Sequence, residues 1–311
     1  MRTRCFLIAL TVLIVACQKN ESTTTETAAA PSSATKTSKA PQPVTISQGL
    51  QTPESVLWDP QQDVYLISNV NGEALAADNN GFISRVNPDT MQVDLKWVEG
   101  GVKPGVTLNA PKGMAIVGDT LYVADITSLR KFDRKTGAPK GEIKIPGSTF
   151  LNDVASDGIA VYVSDSGLKS GAGGNFEPTG SDAIWKISRD AAMKIAAGDD
   201  LKRPNGVEAK GGKLWVVSFG SNELYQLDHG KKTNVANLPK GSLDGLVLLD
   251  DGTFLVSSWE GKAVYRGPAA GPFQTVLDNV NAPADIGYDS KRNRLLVPHF
   301  MDNMVTIHEL K

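Results

Sequence analysis

Beyond residue 44 the chain is a succession of short apolar runs, rich in β-branched and aromatic residues and bounded by Gly, Asp, Asn or Pro. Runs of that kind read as strands joined by turns. They recur as one unit, six times. Each copy opens on a short motif, enters an apolar strand, crosses a turn and returns as an apolar and aromatic strand. The openings are Pro53-Glu54-Ser55-Val56, Pro111-Lys112-Gly113-Met114, Leu151-Asn152-Asp153-Val154, Pro204-Asn205-Gly206-Val207, Leu243-Asp244-Gly245-Leu246 and Pro283-Ala284-Asp285-Ile286. The returns run Val64–Ile67, Leu121–Ala124, Val161–Ser164, Leu214–Val217, Phe254–Ser257 and Leu295–Val297. Asp157-Gly158, Gly211-Gly212 and Asp251-Gly252 supply the positive φ that tight hairpins need.

The 230 residues from Glu54 to Ala284 divide into five intervals averaging 46. A period of about 40–50 residues with several strands per unit marks a β-propeller, and a β-sandwich would not repeat one motif at that interval. Residues 44–311 hold six such units and not seven. The predicted fold is all-β, a six-bladed propeller of four-stranded blades. Val44-Thr45-Ile46 is expected to close the ring against Met304–His308. Tyr65, Tyr122, Tyr162 and Trp215 are expected to pack between blades.

Both cysteines of the 311-residue chain, Cys5 and Cys17, precede this region, so no disulfide framework supports the fold. Arg2 and Arg4 lead an apolar run from Cys5 to Ala16, too short to span a bilayer but suited to a signal peptide. The ending Leu13-Ile14-Val15-Ala16-Cys17 resembles a bacterial lipobox. That resemblance implies removal of residues 1–16 and lipidation of Cys17, the alternative being an ordinary cleaved signal. Either way the protein is expected to be exported. With Gln18 after the cysteine, a Gram-negative host would carry it to the outer membrane, facing the periplasm. Residues 18–43 contain no aromatic or large aliphatic residue before Val44, so residues 17–43 form a lipidated cysteine and a tether.

The formal net charge of −2 conceals an uneven distribution. Arg2, Arg4 and the excess of one Lys in residues 18–43 leave −5 on the repeats. No basic stripe remains for nucleic acid. Membrane contact is expected only through the lipid anchor, and the expected state is a monomer.

In a propeller the innermost strands all start on one face, so equivalent repeat positions converge at the channel mouth. The second residues of the six openings are Glu54, Lys112, Asn152, Asn205, Asp244 and Ala284. Four are oxygen donors. Two carboxylates and two amides, without sulfur or imidazole, suit a hard divalent cation such as Ca²⁺. Asp153 and Asp285, one position on, are further candidates. Taken singly, Asn-Gly and Asp-Gly are also ordinary turn chemistry.

The order Glu54-Ser55-Val56-Leu57-Trp58, Asn152-Asp153, Asn205-Gly206, Asp244-Gly245 resembles the metal-binding pattern of the senescence marker protein, gluconolactonase and luciferin-regenerating enzyme family, over about residues 50–300. The resemblance implies one divalent metal held by Glu54, Asn152, Asn205 and Asp244, and hydrolysis of a lactone or ester. Two positions depart from the pattern. Thr149-Phe150-Leu151 stands where lactonases of the family tend to carry an Arg that holds the acidic substrate. Lys112 stands in the ring itself, where it could grip an anion, act as a base, or replace the metal by pairing with Glu54 and Asp244.

The second strand of each unit returns to the same face, which is expected to bring Asn69, Asp125, Asp165, Phe219, Ser258 and His299 to the mouth. Asp244, His299 and Lys112 are the candidates for catalysis; Lys112, Asp153, Asp285 and Asn69 are those for substrate. His229 and His308 have no chemical company. Residues 70–81 and 166–181 are longer than hairpins require and fall where specificity is usually carried. The second of these contains no phosphate-loop ending. No Gly-x-Ser-x-Gly and no cysteine in the repeats argues against a covalent acyl-enzyme. The alternative to a lactone hydrolase is a non-catalytic propeller binding a small-molecule ligand or a protein of the cell envelope through the same mouth.

Overall fold

The computed structural model describes residues 42–172 and 175–310. The signal segment, Cys17 and the tether to Pro41 lie outside them, as do Gly173 and Gly174. Within them the repeats form six four-stranded antiparallel sheets, the blades of a β-propeller. The first strands of blades one to five are Pro53–Asp59, Pro111–Val117, Leu151–Ser156, Pro204–Lys210 and Leu243–Leu248, each starting on the opening motif read from the sequence. Blade six is assembled from both ends of the domain. Gly287–Asp289, Arg294–His299 and Met304–Glu309 are joined by Val44–Ile46, whose Val44, Thr45 and Ile46 pair with Ile307, Thr306 and Val305. The ring therefore closes by the pairing expected, with Val44–Ile46 as the outer strand of blade six.

Alternation decides the packing. One face of every strand must be buried, and a blade has neighbours on both of its faces. The result is six apolar clusters, each combining residues of two consecutive blades. Leu66, Ile83 and Val98 of blade one meet Leu121, Val123 and Phe132 of blade two; Trp215, Val217 and Leu224 of blade four meet Phe254, Val256 and Tyr265 of blade five. Tyr65, Tyr122 and Tyr162 also take places between blades. A fully buried leucine such as Leu66 contributes about 1.5–3 kcal/mol by leaving water.

Polar staples tie the same junctions. The buried Arg134 guanidinium of blade two donates from Nε to Asp59 Oδ2 at 2.6 Å and from a terminal nitrogen to Asp59 Oδ1. Tyr65 donates to Asp289 Oδ2 at 2.8 Å, joining blade one to blade six. The hairpin between Lys210 and Lys213 turns on Gly211 and Gly212 with φ of 61° and 74°, as their pairing in the sequence predicts.

The two insertions differ. Leu168–Ser170 and Phe176–Pro178 pair as a separate hairpin above blade three. Residues 70–81 form a loop whose Ala74 carbonyl accepts a hydrogen bond from Lys112.

Candidate functional site

Every first strand of blades one to five carries a register shift immediately after its opening residue, between Pro53 and Ser55, Pro111 and Met114, Leu151 and Val154, Pro204 and Val207, and Leu243 and Leu246. A bulge re-aims the side chain it contains. Glu54, Lys112, Asn152, Asn205 and Asp244 all sit in these bulges, and all are buried. The glycines that follow serve close approach, not turning. A Cβ on Gly206 would overlap the Asp244 carbonyl oxygen, and one on Gly245 would overlap the Ile286 backbone nitrogen. Neither has a positive φ. The Asn-Gly and Asp-Gly pairs are thus not turns; glycine allows neighbouring first strands to crowd around the channel.

Three of the four oxygen donors keep a buried atom with no hydrogen-bond partner: Glu54 Oε2, Asn205 Oδ1 and Asp244 Oδ1. Such atoms are uncommon in native interiors, and each costs about 1–3 kcal/mol. The remaining atoms of the set are fixed. Trp259 Nε1 donates to Asp244 Oδ2 at 2.7 Å. Asn152 Nδ2 donates to Ser166 Oγ at 3.1 Å, and Ser166 in turn donates to the Pro204 carbonyl at 2.8 Å. Fixing the amide nitrogen of Asn152 leaves its oxygen as the available donor.

Electrostatics draw Glu54, Asp153, Asp244 and Asp285 into one cluster. Burial pushes the Glu54 carboxyl well above the usual range, the Asp244 charge adds to that, and Lys112 opposes it. Burial pushes Asp244 up to about 7 against the Trp259 hydrogen bond, with the Asp153 charge adding to the rise. Asp153 is pushed by burial to about 6, although Val207 and Val154 N–H groups donate to it at 2.7 and 2.6 Å. Asp285 is raised by burial and then by Asp153 and Glu54, while the Ser55 hydroxyl donates to its Oδ2. Burial thus favours the neutral form of all four carboxyls, and a bound cation would favour the charged form.

Lys112 does not fill that role by direct pairing. Its Nζ donates to the Ala74 and Ala110 carbonyls at 2.9 and 3.0 Å and lies 4.7 Å from the centroid of the Phe150 ring. Among the described residues it forms no ion pair with Glu54 or Asp244, so the sequence expectation that it could occupy the metal's place is corrected. Burial lowers its pKa, and the Glu54 and Asp125 charges oppose the fall. Phe150, standing where an Arg was sought, meets Phe176 of the inserted hairpin edge-on at 5.4 Å.

The residues at the end of the second strands brace the blades. Pro53, Pro111, Leu151, Pro204, Leu243 and Pro283 pair with Asn69, Asp125, Asp165, Ser218, Ser258 and His299. In blade four the equivalent residue is therefore Ser218, one before the Phe219 expected. In five blades this residue ties down the loop that leads into its own first strand. Asn69 Oδ1 accepts from Gln51 N, Asp125 Oδ1 from Ala110 N and Asp165 Oδ1 from Phe150 N, while Ser218 and Ser258 donate to the Leu201 and Gly241 carbonyls. Asn69 is wholly buried, and its amide nitrogen is spent on Ile67 O and Ser84 Oγ. The substrate contact expected of Asn69 has no free atom to make it. His299 is buried in blade six, sharing a hydrogen bond with the Thr306 hydroxyl at 2.8 Å and standing 3.8 Å from Asp302. Burial holds its pKa below the ordinary value. Its Nε2 is spent within its own blade, while Nδ1 is buried without a hydrogen-bond partner among the described residues.

Apart from Phe219, sequence reasoning missed the residues one step beyond these braces. Ser166 and Trp259, which fix Asn152 and Asp244, both stand there, as do Phe219 and Phe300. The signal was the recurrence Ser218-Phe219, Ser258-Trp259, His299-Phe300.

At the other end of the channel lies a cavity of about 570 Å³, lined by Trp58, Arg134, Glu208 and Tyr288 and reaching inward to Asp153 and Asp285. Burial pushes Glu208 up to about 7. The cations at its rim are already paired, Arg134 with Asp59 and Lys210 with Asp250. The unpartnered Glu54, Asn205 and Asp244 oxygens belong to residues outside its lining. Among the described residues no group of three or more His, Cys, Asp or Glu is disposed to hold a metal. The donor set here has two carboxylates and needs its two amides, and its chemistry fits a hard cation.

No family model and no curated protein matches this sequence. Solved structures do. A luciferin-regenerating enzyme superposes with a TM-score of 0.63 at 12% identity, covering 86% of this chain and 96% of that one. A gluconolactonase from Xanthomonas campestris gives 0.62 at 17%, covering 84% and 86%. Virginiamycin B lyase from Staphylococcus aureus gives 0.58 at 13%, covering 87% and 99%. At these identities the likeness is one of fold: the chain is a six-bladed β-propeller of the architecture shared by luciferin-regenerating enzyme and gluconolactonase.

Proposed function

We propose that this protein is an exported, lipid-anchored hydrolase of lactones or esters that works with one divalent cation, Ca²⁺ by its donor chemistry, held by Glu54, Asn152, Asn205 and Asp244. The observation that carries the reading is the set of unpartnered buried oxygens, Glu54 Oε2, Asn205 Oδ1 and Asp244 Oδ1, supplied by the first strands of three blades. The similarity of fold to a gluconolactonase supports the choice of reaction. The anchor rests on the Cys17 motif.

A divalent cation in such a site supplies Lewis acidity, polarising a carbonyl and acidifying water. The chain's own residues do the rest. Trp259 holds Asp244 Oδ2 and so aims the carboxylate into the ring through Oδ1, and Ser166 turns the Asn152 amide. Lys112 keeps a positive charge near Glu54 and braces the 70–81 loop over the mouth. Asp153 and Asp285, bonded to Val207 N and Ser55 Oγ, hold the first strands of neighbouring blades together.

The test is a panel of lactones and esters assayed with Ca²⁺ and with chelator. Ca²⁺-dependent turnover that disappears in Asp244→Asn is the expected result. Turnover unaffected by chelator would remove the cation from the reaction; turnover absent across the panel would remove the hydrolase reading and leave the ligand-binding alternative.

A further inference from the structure

We propose that the ring face is built for a carbonyl compound carrying a flat apolar ring, an aryl lactone or aryl ester, and that Phe219, Trp259 and Phe300 form the platform on which that ring lies. The proposal deepens the hydrolase reading and rests on it only for the carbonyl end of the ligand.

The three aromatics occupy one structural position in three consecutive blades, the residue after the brace that pairs with the first-strand opening. Phe219 and Trp259 meet edge to face with centroids 5.8 Å apart and planes at 81°, and Trp259 and Phe300 are 5.3 Å apart at 49°. All three are part-exposed. On a soluble surface, adjoining large apolar groups beside buried polar ones mark a ligand site. The equivalent residues of the other three blades are Val70, Ile126 and Ser166, so the platform occupies one side of the face and sets the ligand's orientation.

Trp259 connects the platform to the chemistry. Its indole N–H is spent on Asp244 Oδ2, so it offers a ligand only its apolar faces and edge. A ring lying on Trp259 is one side chain away from the unpartnered Asp244 Oδ1. Beside Phe219 a cleft of about 430 Å³, lined by Arg203, Asn222, Lys240, Ser242 and Glu260 among others, leaves room for a polar substituent. Hydroxyls of a polyhydroxylated lactone laid over the three rings would face side chains with no polar atom to spare and lose water without replacement. An aryl ring loses nothing of that kind and stacks.

The test is titration calorimetry in chelator, so that no turnover intervenes, with dihydrocoumarin as the aryl lactone and glucono-δ-lactone as the polyhydroxylated one. Wild type should bind the aryl lactone more tightly. The double variant Phe219→Leu/Phe300→Leu keeps apolar volume but lacks the rings; it should weaken dihydrocoumarin about five- to tenfold and, titrated separately without chelator, bind Ca²⁺ as wild type does. Glu54→Gln should lose Ca²⁺ and turnover yet still bind dihydrocoumarin, which separates failure of the platform from failure of the hydrolase reading. Equal dihydrocoumarin affinity in wild type and the leucine double variant, tighter glucono-δ-lactone binding in wild type, or loss of aryl binding in Glu54→Gln would each overturn the proposal.

Discussion

Trp259 donates its indole N–H to one oxygen of Asp244 at 2.7 Å, and the other oxygen of that carboxylate is buried without a well-formed hydrogen bond among the described residues. A half-satisfied carboxylate is a costly arrangement unless something else arrives to complete it. The hydrogen bond costs Asp244 nothing as a ligand and fixes its direction. Trp259→Phe removes the donor and keeps the aromatic bulk. It should lower Ca²⁺ affinity about tenfold and stability by roughly 1.5–3 kcal/mol, the worth of a hydrogen bond to a charged group. Calorimetric titration and urea unfolding would measure the two effects; unchanged values would show that Trp259 does not position Asp244.

Lys112 offers a test of opposite sign. Lys112→Met removes an ammonium held by the Ala74 and Ala110 carbonyls and should destabilise the protein by about 1–3 kcal/mol. It also removes a positive charge that acts on Glu54, so Ca²⁺ should bind at least as tightly as to wild type. Loss of binding in this variant would mean that Lys112 helps to build the ring.

The pH dependence of stability follows from the buried acids. Glu54 and Asp285 are raised, Asp153 to about 6, and Asp244 and Glu208 to about 7. Unfolded carboxyls titrate near pH 4. Between about pH 4 and pH 7 the folded cation-free protein therefore holds more protons than the unfolded chain, and its stability falls as pH rises through that window. Thermal unfolding in chelator should show Tm decreasing from pH 5 to pH 8, with part of the slope removed by Glu208→Gln. Added Ca²⁺ should raise Tm most at the alkaline end. A Tm that rises with pH in chelator would contradict the burial of these groups.

Two glycines separate crowding from backbone conformation. Gly206→Ala would drive a methyl into the Asp244 carbonyl and should cost about 1–3 kcal/mol with weakened Ca²⁺ binding. Gly212→Ala meets open space at φ of 74° and should cost about 1 kcal/mol with binding intact. Urea unfolding and calorimetry on both would reveal a difference in binding between them; equal binding would deny that close strand approach shapes the ring.

The blades were legible because each repeats the same openings and return strands, so pattern and period reinforced one another. Even the closing pair, Val44–Ile46 with Met304–Glu309, was marked by strands left over at the two ends. The ring positions were legible for the same reason, since equivalent residues of a repeat must share a face. Contacts between non-equivalent positions were not. Nothing in Lys112-Gly113 announces that the ammonium turns to Ala74, 38 residues earlier, and nothing in Asn205-Gly206 announces that glycine clears the Asp244 carbonyl. Asn69 lies at the right height in the blade, but hydrogen bonding within its own sheet occupies its side chain, and His299 spends Nε2 on Thr306 of its own blade.

The measurement closest to the central claim is calorimetric titration of Ca²⁺ into the chelator-treated protein, repeated on Glu54→Gln, Asp244→Asn and Lys112→Met. The account predicts one site per chain in wild type and Lys112→Met, and none in the other two. Absence of binding in wild type, or equal binding in all four proteins, would contradict it.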